Sequence, residues 1–325
     1  MQLKIGIGRY DRTQALLDGR VSVEGYEARF ESPPLEELFA RAFDKGDYDI
    51  AELSFSNYLY LFSEAKSHYI GLPIFPSRMF RHSAFFIRAD RGIRTPRDLA
   101  GRTIGVREYS MTAALVARGV LDDEYGVPSS AIRWRFGPAD RYDAKPIIRM
   151  QPRGIDLAPI EDGQNLSDLL RDGELDAMVA YKPPKCFVER APNVARLFPD
   201  HVKVEQDYFA RTRIFPIMHL VGIRRELASD AALCNAVSDA FERAKGEAID
   251  SLAMYQALNV SLPWAPSDLE RVRAFMGEDY WPYGISPNRA AIEAITRYSN
   301  MQGLATRVLA VEEVFAPAAM DWKPN

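Results

Sequence analysis

The stretch Tyr69-Ile70-Gly71-Leu72-Pro73-Ile74-Phe75-Pro76-Ser77-Arg78-Met79-Phe80-Arg81-His82-Ser83-Ala84-Phe85-Phe86-Ile87 sets two arginines and a histidine between two apolar runs. Both runs, Tyr69 to Phe75 and Ala84 to Ile87, read as short buried strands. A loop at strand ends is where a rigid scaffold presents chemistry. This one offers two fixed cations and one group that titrates near neutral pH. The same residues also fit a surface loop whose arginines pair with local carboxylates.

Toward the N-terminus, strand and helix signals alternate. Leu3 to Ile7 reads as a strand ending at Gly8, followed by the loop Arg9-Tyr10-Asp11-Arg12 and a helix from Thr13 to Leu17. Val21 to Phe30 reads as extended. Leu35, Leu38, Phe39 and Ala42 recur at helical spacing, with Gly46 as the stop. Tyr48 to Leu53 is the next strand, and Ser54-Phe55-Ser56-Asn57 opens another helix.

Beyond Asp90 the alternation restarts. Thr103 to Val106 is a strand, Arg107-Glu108-Tyr109-Ser110 a loop, and a helix follows to Glu124 with Ser110 as its N-cap. Ile132 to Phe136, Ile155 to Ile160 and Leu175 to Ala180 read as further strands, and Tyr181-Lys182-Pro183-Pro184 as a stiff exit. Phe215 to Ile223 is a return strand carrying His219. Glu226 to Leu262 has a helical pattern with a break near Gly246. The aromatic loop Tyr280-Trp281-Pro282-Tyr283-Gly284 precedes a last helix, and the tail after Pro317 reads as unstructured. Alternating strands and helices indicate an α/β layer structure. The order predicts two lobes, residues 1–88 with 214–325 and residues 89–213, with a ligand cleft between them where strand ends and helix N-termini converge.

The 325 residues carry a net charge of −4, which argues against a general nucleic-acid binder. No run approaches the ~18 apolar residues of a membrane span. The opening Met-Gln-Leu-Lys-Ile-Gly-Ile-Gly goes straight into a strand without a signal-peptide pattern, so a cytoplasmic protein is expected. A mature secreted protein given a new initiator Met would read the same. Cys186 and Cys234 lack metal-ligand spacing, and no His-Glu or His-Asp pattern has the spacing of a zinc site, so no metal or other cofactor is implied.

Of the four histidines, His68 and His201 read as solvated, while His82 and His219 lie in or beside apolar strands. Each of the latter two is either a core histidine satisfied by backbone or a proton carrier. At the turn after Val106, the amides of Met111 and Thr112 with the hydroxyls of Ser110 and Thr112 form an anion seat. Glu108 beside it is an acid that burial can keep protonated. The loop at Arg9, Asp11 and Arg12 is its counterpart in the first lobe. The aromatic loop fits either a ligand wall or packing against the sheet. Walker loops, Gly-x-Ser-x-Gly elbows and complete Gly-x-Gly-x-x-Gly fingerprints are absent, which disfavours nucleotide hydrolysis and hydride transfer.

Several stretches together carry a resemblance: Gly8 to Thr13, Pro76 to Ser83, Glu108 to Ala114, Arg118 to Val127, Ile214 to His219, and Trp281 to Ile285 with Asn288 and Arg289. The chain resembles the 4,5-dihydroxyphthalate decarboxylase family from residue 1 to about 316. The resemblance implies a periplasmic-binding-protein-like, type II clamshell in which each lobe is a mixed sheet flanked by helices. It implies non-oxidative loss of CO2 from a hydroxylated aromatic acid, with a small-molecule aromatic carboxylate as partner. The rival readings are a solute-binding protein of an ABC transporter and another enzyme of the same clamshell. A homo-oligomer is expected from the base rate for soluble enzymes.

In 4,5-dihydroxyphthalate each carboxylate is para to one hydroxyl. Deprotonating that hydroxyl sends electron density to the carbon that must be protonated. The expected roles follow from this chemistry. Arg78 and Arg81, with Arg12, hold the carboxylates. His82 first, and Glu108 second, protonates the ring carbon, and His219 or Tyr181 takes the phenol proton. Ser110 and Thr112 hold a substrate oxygen. Arg9, Asp11, Ser54, Asn57, Tyr109, Trp281 and Tyr283 complete the expected ligand contacts.

Overall fold

The computed structural model describes residues 2–140 and 150–324. In chain order its strands are β1 (Gln2–Gly6), β2 (Glu27–Glu31), β3 (Ile50–Ser54), β4 (Tyr69–Arg78), β5 (Phe85–Arg88), β6 (Thr103–Val106), β7 (Arg133–Phe136), β8 (Leu157–Pro159), β9 (Ala177–Val179), β10 (Val194–Arg196) and β11 (Ile217–Arg224). They form two mixed sheets flanked by helices. The first has the order β2-β1-β3-β11-β4 and the second β10-β5-β9-β6-β7-β8. Strand β3 is buried along its whole length, as expected of a strand covered on both faces.

The chain changes sheet between Arg78 and Phe85 and returns between Arg196 and Ile217. Phe85–Arg88, expected in the first lobe, pairs antiparallel with β9 and β10 in the second sheet. The C-terminal helix Arg289–Met301 packs on the helix Thr112–Tyr125. A Cβ on Gly119 would lie 2.4 Å from the Tyr298 ring, so the two helices meet only because that side chain is missing. Arg118, buried beside it, donates to Gln302 Oε1 at 2.6 Å and to the Tyr109 carbonyl at 2.6 Å.

The β4–β11 ladder shifts register on both sides of His219. Pro73 and Pro76 lie in the shifted segment of β4 and lack the N–H a regular ladder needs. The carbonyls left over there are claimed from outside the sheet. Gly284 N donates to Pro73 O at 2.8 Å, Trp281 Nε1 donates to Phe75 O at 3.0 Å, and Arg12 Nε donates to Pro76 O. Irregularities of this kind re-aim side chains, and this one carries His219.

Three local expectations are corrected. The helix Ala231–Leu252 runs unbroken through Gly246. The ~1 kcal/mol cost of a helical glycine is outweighed by a buried face that includes Leu233, Val237, Phe241 and Ala244. Ser110 is not an N-cap: the helix starts after Met111, and the Ser110 hydroxyl instead donates to Glu108 Oε1 at 2.8 Å. The C-terminal tail is packed, with Ala319 buried and Trp322 Nε1 donating to Asp239 Oδ1 at 2.8 Å.

Candidate active site

A cavity of about 300 Å³ opens between the two sheets. From the first sheet and its helices come Tyr10, Glu36, Phe39, Ser54, Asn57, Ser77, Met218 and His219. From the second come Arg107, Glu108, Thr112 and Tyr181, and Arg81 arrives on the segment between them. Of the residues singled out in the sequence, Ser54, Asn57, Arg81, Glu108, Thr112, Tyr181 and His219 line this space.

His219 is backed by a residue the sequence reading passed over. Its Nδ1 lies 2.6 Å from Glu52 Oε1. Glu52 is fully buried in β3 and also accepts from Tyr10 Oη at 2.7 Å and from the Gly8 amide at 2.7 Å. Gly8 permits that approach, because a Cβ there would lie 2.8 Å from Glu52 Oε2 and 2.7 Å from the Tyr10 ring. Burial pushes the Glu52 carboxyl upward, but the His219, Tyr10 and Gly8 hydrogen bonds outweigh it and hold its pKa below the ordinary value. The same burial and the Glu52 charge raise the Tyr10 phenol, which remains a donor. An ionised Glu52 accepts a hydrogen bond from His219 Nδ1–H, which leaves Nε2 to act toward the cavity. Phe39 meets the imidazole edge-on at 5.0 Å between centroids.

Arg81, like Arg107, is a buried cation of this cavity. Among the described residues its guanidinium makes one hydrogen bond, Nε to Met218 Sδ at 3.2 Å, and no carboxylate lies within ion-pair distance. Burial lowers its pKa to about 10, and Glu205 opposes that from farther away; the group stays charged at neutral pH. Asn57, 2% exposed, has an Oδ1 without a hydrogen-bond partner. Ser54 Oγ and Thr112 Oγ1 are 2.9 Å apart across the cleft, and the Ser56 amide donates to Thr112 Oγ1 at 3.0 Å. A second cross-cleft contact joins Arg107 Nη2 and Glu36 Oε1 at 2.8 Å, with Arg107 also 5.8 Å from the Tyr181 ring centroid.

The structure places the remaining expected residues outside this cavity. His82 does not line the cavity. It is 1% exposed, edge-on to Phe198 and Tyr208 at 5.4 Å each, and neither ring nitrogen has a hydrogen-bond partner. Glu205 Oε1 at 4.0 Å is too distant to hydrogen-bond, and burial lowers the imidazole pKa to about 4. Arg78 turns away from the cleft into a second cavity. Arg12 is sandwiched between the rings of Tyr10 and Trp281, at 4.3 and 4.4 Å, and pairs with Asp11 at 2.9 Å. Arg9 lies exposed with Gln14 as its partner. Tyr109 packs under Arg118, Ser110 serves Glu108, Trp281 serves β4, and Tyr283 is fully buried beneath Lys245.

Glu52, Arg107 and Glu36 were absent from the sequence-derived set. The available signal for Glu52 was an acid inside a strand otherwise apolar on both faces, which requires a partner. Nothing in the sequence paired Glu36 with Arg107. Among the described residues no group of three or more His, Cys, Asp or Glu comes together as a metal site, and no helix is long and apolar enough to cross a membrane.

A 4,5-dihydroxyphthalate decarboxylase of Comamonas testosteroni is 40% identical over 323 residues, covering 99% of this chain and 98% of its own length. A protein of the same name from Pseudomonas putida is 37% identical over 210 residues, 64% of this chain and 81% of its own. No family model matches. Among solved structures, the periplasmic aliphatic sulphonate binding protein SsuA of Escherichia coli superposes with a TM-score of 0.56 at 14% identity, covering 100% of this chain and 92% of that one. The desulfurization enzyme DSZB gives 0.50 at 15% identity, covering 98% and 97%. These likenesses identify the fold as the two-lobe α/β fold of periplasmic binding proteins.

Proposed function

The chain belongs to the 4,5-dihydroxyphthalate decarboxylase family, and from that premise we propose that it removes CO2, without an oxidant, from 4,5-dihydroxyphthalate to give 3,4-dihydroxybenzoate. The observation that carries the reading is one cavity holding both a carboxylate-backed imidazole, His219–Glu52, and a buried guanidinium, Arg81, without a carboxylate partner among the described residues.

Arg81 receives one substrate carboxylate, and a bidentate pair there supplies the counter-charge that burial demands. The second carboxylate takes the place of Glu36 on Arg107. A ring hydroxyl donates to Asn57 Oδ1, which otherwise has no donor. The para hydroxyl gives its proton to His219 Nε2, and Glu52 stabilises the imidazolium that results. Electron density moves through the ring to the carbon bearing the departing carboxylate. Glu108, which lines the same cavity, relays a proton from solvent to that carbon. The C–C bond then breaks, its electron pair restores the aromatic ring, and CO2 leaves. His219 returns its proton to the phenolate oxygen, and the proton relayed by Glu108 comes from solvent, so one proton is consumed per turnover. Tyr181, on the Arg107 side, flanks the ring. The proposal includes a cytoplasmic location and a homo-oligomeric assembly.

The test is incubation with 4,5-dihydroxyphthalate, following CO2 and 3,4-dihydroxybenzoate with and without a chelator. Stoichiometric appearance of both products is expected in each arm. Tight binding without turnover would sink the decarboxylase reading in favour of a solute binder. Loss of turnover in the chelator arm would show that the protein groups named above are insufficient by themselves.

A further inference from the structure

A second cavity, of about 310 Å³, lies where the chain passes back to the first sheet. Arg78, Phe215 and Asn288 line its inner side, and Arg213, Asp279 and Ala290 stand at its exposed rim. Arg78 is 6% exposed, yet every acceptor it holds is neutral. It donates to the Phe215 carbonyl at 3.0 Å, to the Pro282 carbonyl at 2.7 Å and to Asn288 Oδ1, while its Nε has no partner. Among the described residues no carboxylate comes within ion-pair distance of it. Burial lowers its pKa to about 9, so the group is still a cation at neutral pH. The acid on the rim, Asp279, is already engaged by Lys245 Nζ at 3.5 Å.

Arg213 brings a second cation to the same opening. It ends the helix His201–Thr212 at a φ of 56°, a left-handed conformation that a non-glycine residue adopts at a cost. Among the described residues it too has no carboxylate partner; its guanidinium rests 5.7 Å from the Phe209 ring. Phe209, Phe215 and Tyr280 give the cavity aromatic walls. Buried charges in folded proteins are normally matched by an opposite charge, and unmet buried groups call for an explanation.

We propose that this cavity is a second ligand site, which takes an aromatic monocarboxylate with its charge between Arg78 and Arg213 and its ring against Phe209, Phe215 and Tyr280. Its volume falls at the small end of ligand pockets, as a single-ring acid requires. The inference goes beyond the proposed reaction and does not depend on it, because the recognition chemistry is that of this cavity alone.

The test titrates benzoate and, separately, acetate into the full chain carrying Arg81→Gln and Arg107→Gln, which together remove the two cations of the first cavity. Calorimetry is expected to show one saturable benzoate site per chain, tighter than acetate. Adding Ala290→Trp, which fills the cavity from its exposed rim, or Arg213→Gly is expected to weaken benzoate by about tenfold or more. Glycine suits the φ at position 213, so that variant keeps the test decisive should the tryptophan disturb folding. Absence of saturable binding up to millimolar benzoate, or binding unaffected by both substitutions, overturns the proposal. Equal affinity for acetate overturns its aromatic part.

Discussion

His82 and His219 both sit beside apolar strands, but one is sealed among aromatic rings and the other is backed by a carboxylate. Around His82 both ring nitrogens lack partners, and burial makes the neutral imidazole the stable form. Around His219 a fully buried Glu52 fixes which nitrogen carries the proton and points the other into the cleft. Burial by itself turns a histidine into a packing group, whereas a buried carboxylate partner orients the ring as a proton carrier requires.

The sharpest way to break this comparison is by rate. His219→Gln is expected to lower kcat by about 10²- to 10⁴-fold, the range for a positioned acid–base group. His82→Phe is expected to leave kcat near that of the unmodified protein. Steady-state decarboxylation assays of the two variants check both, and the reverse ranking would return the proton transfer to His82.

The second test is by stability against pH. Folded His82 takes a proton only near pH 4, whereas the unfolded chain takes it near ~6.5. The unfolded state therefore binds more protons in that interval. The stabilisation is fully present above the upper value and is lost as pH falls toward the lower one, on the order of 3 kcal/mol in all. Urea unfolding at pH 7 and pH 4.5 is expected to show His82→Phe losing less stability on acidification than the unmodified protein. Parallel losses in the two proteins would mean that His82 titrates normally.

Arg81, in the cleft, comes next. Arg81→Gln removes charge-assisted hydrogen bonds of about 1.5–3 kcal/mol, so kcat/KM is expected to fall by about 10- to 100-fold. Arg78→Gln, on the far side of the same strand end, is expected to weaken thermal stability while leaving KM nearly unchanged. The smallest effect belongs to Glu36. If substrate displaces it from Arg107, Glu36→Gln removes a competing anion that is itself half-exposed, on a buried arginine. KM is then expected to fall by about two- to fivefold, the scale of an exposed ion pair, with little change in kcat. An unaltered or raised KM would mean that the Arg107–Glu36 contact persists in the complex.

Much of the site was legible as loops, less of it as roles. Pro76 to Ser83 was marked by its cations, and it does supply Arg81 to the cleft, but Arg78, Arg81 and His82 point to three different places. Pro73 and Pro76 lie where the β4 register shifts, and three donors from outside the sheet take up the carbonyls left over there. Arg12 and Trp281 were expected at the ligand and are instead part of that repair. Glu52 was passed over because an acid in a strand gains meaning only from its partners, and these come from residues 8, 10 and 219.

The sequence by itself determined the alternation of strands and helices, the two-sheet layout and the family, because these rest on periodicity, turn residues and motifs spread along the chain. The tertiary structure decided which histidine meets a carboxylate and which arginine faces the cleft. Those outcomes depend on contacts between segments far apart in sequence and on a shifted strand register, and local pattern encodes neither.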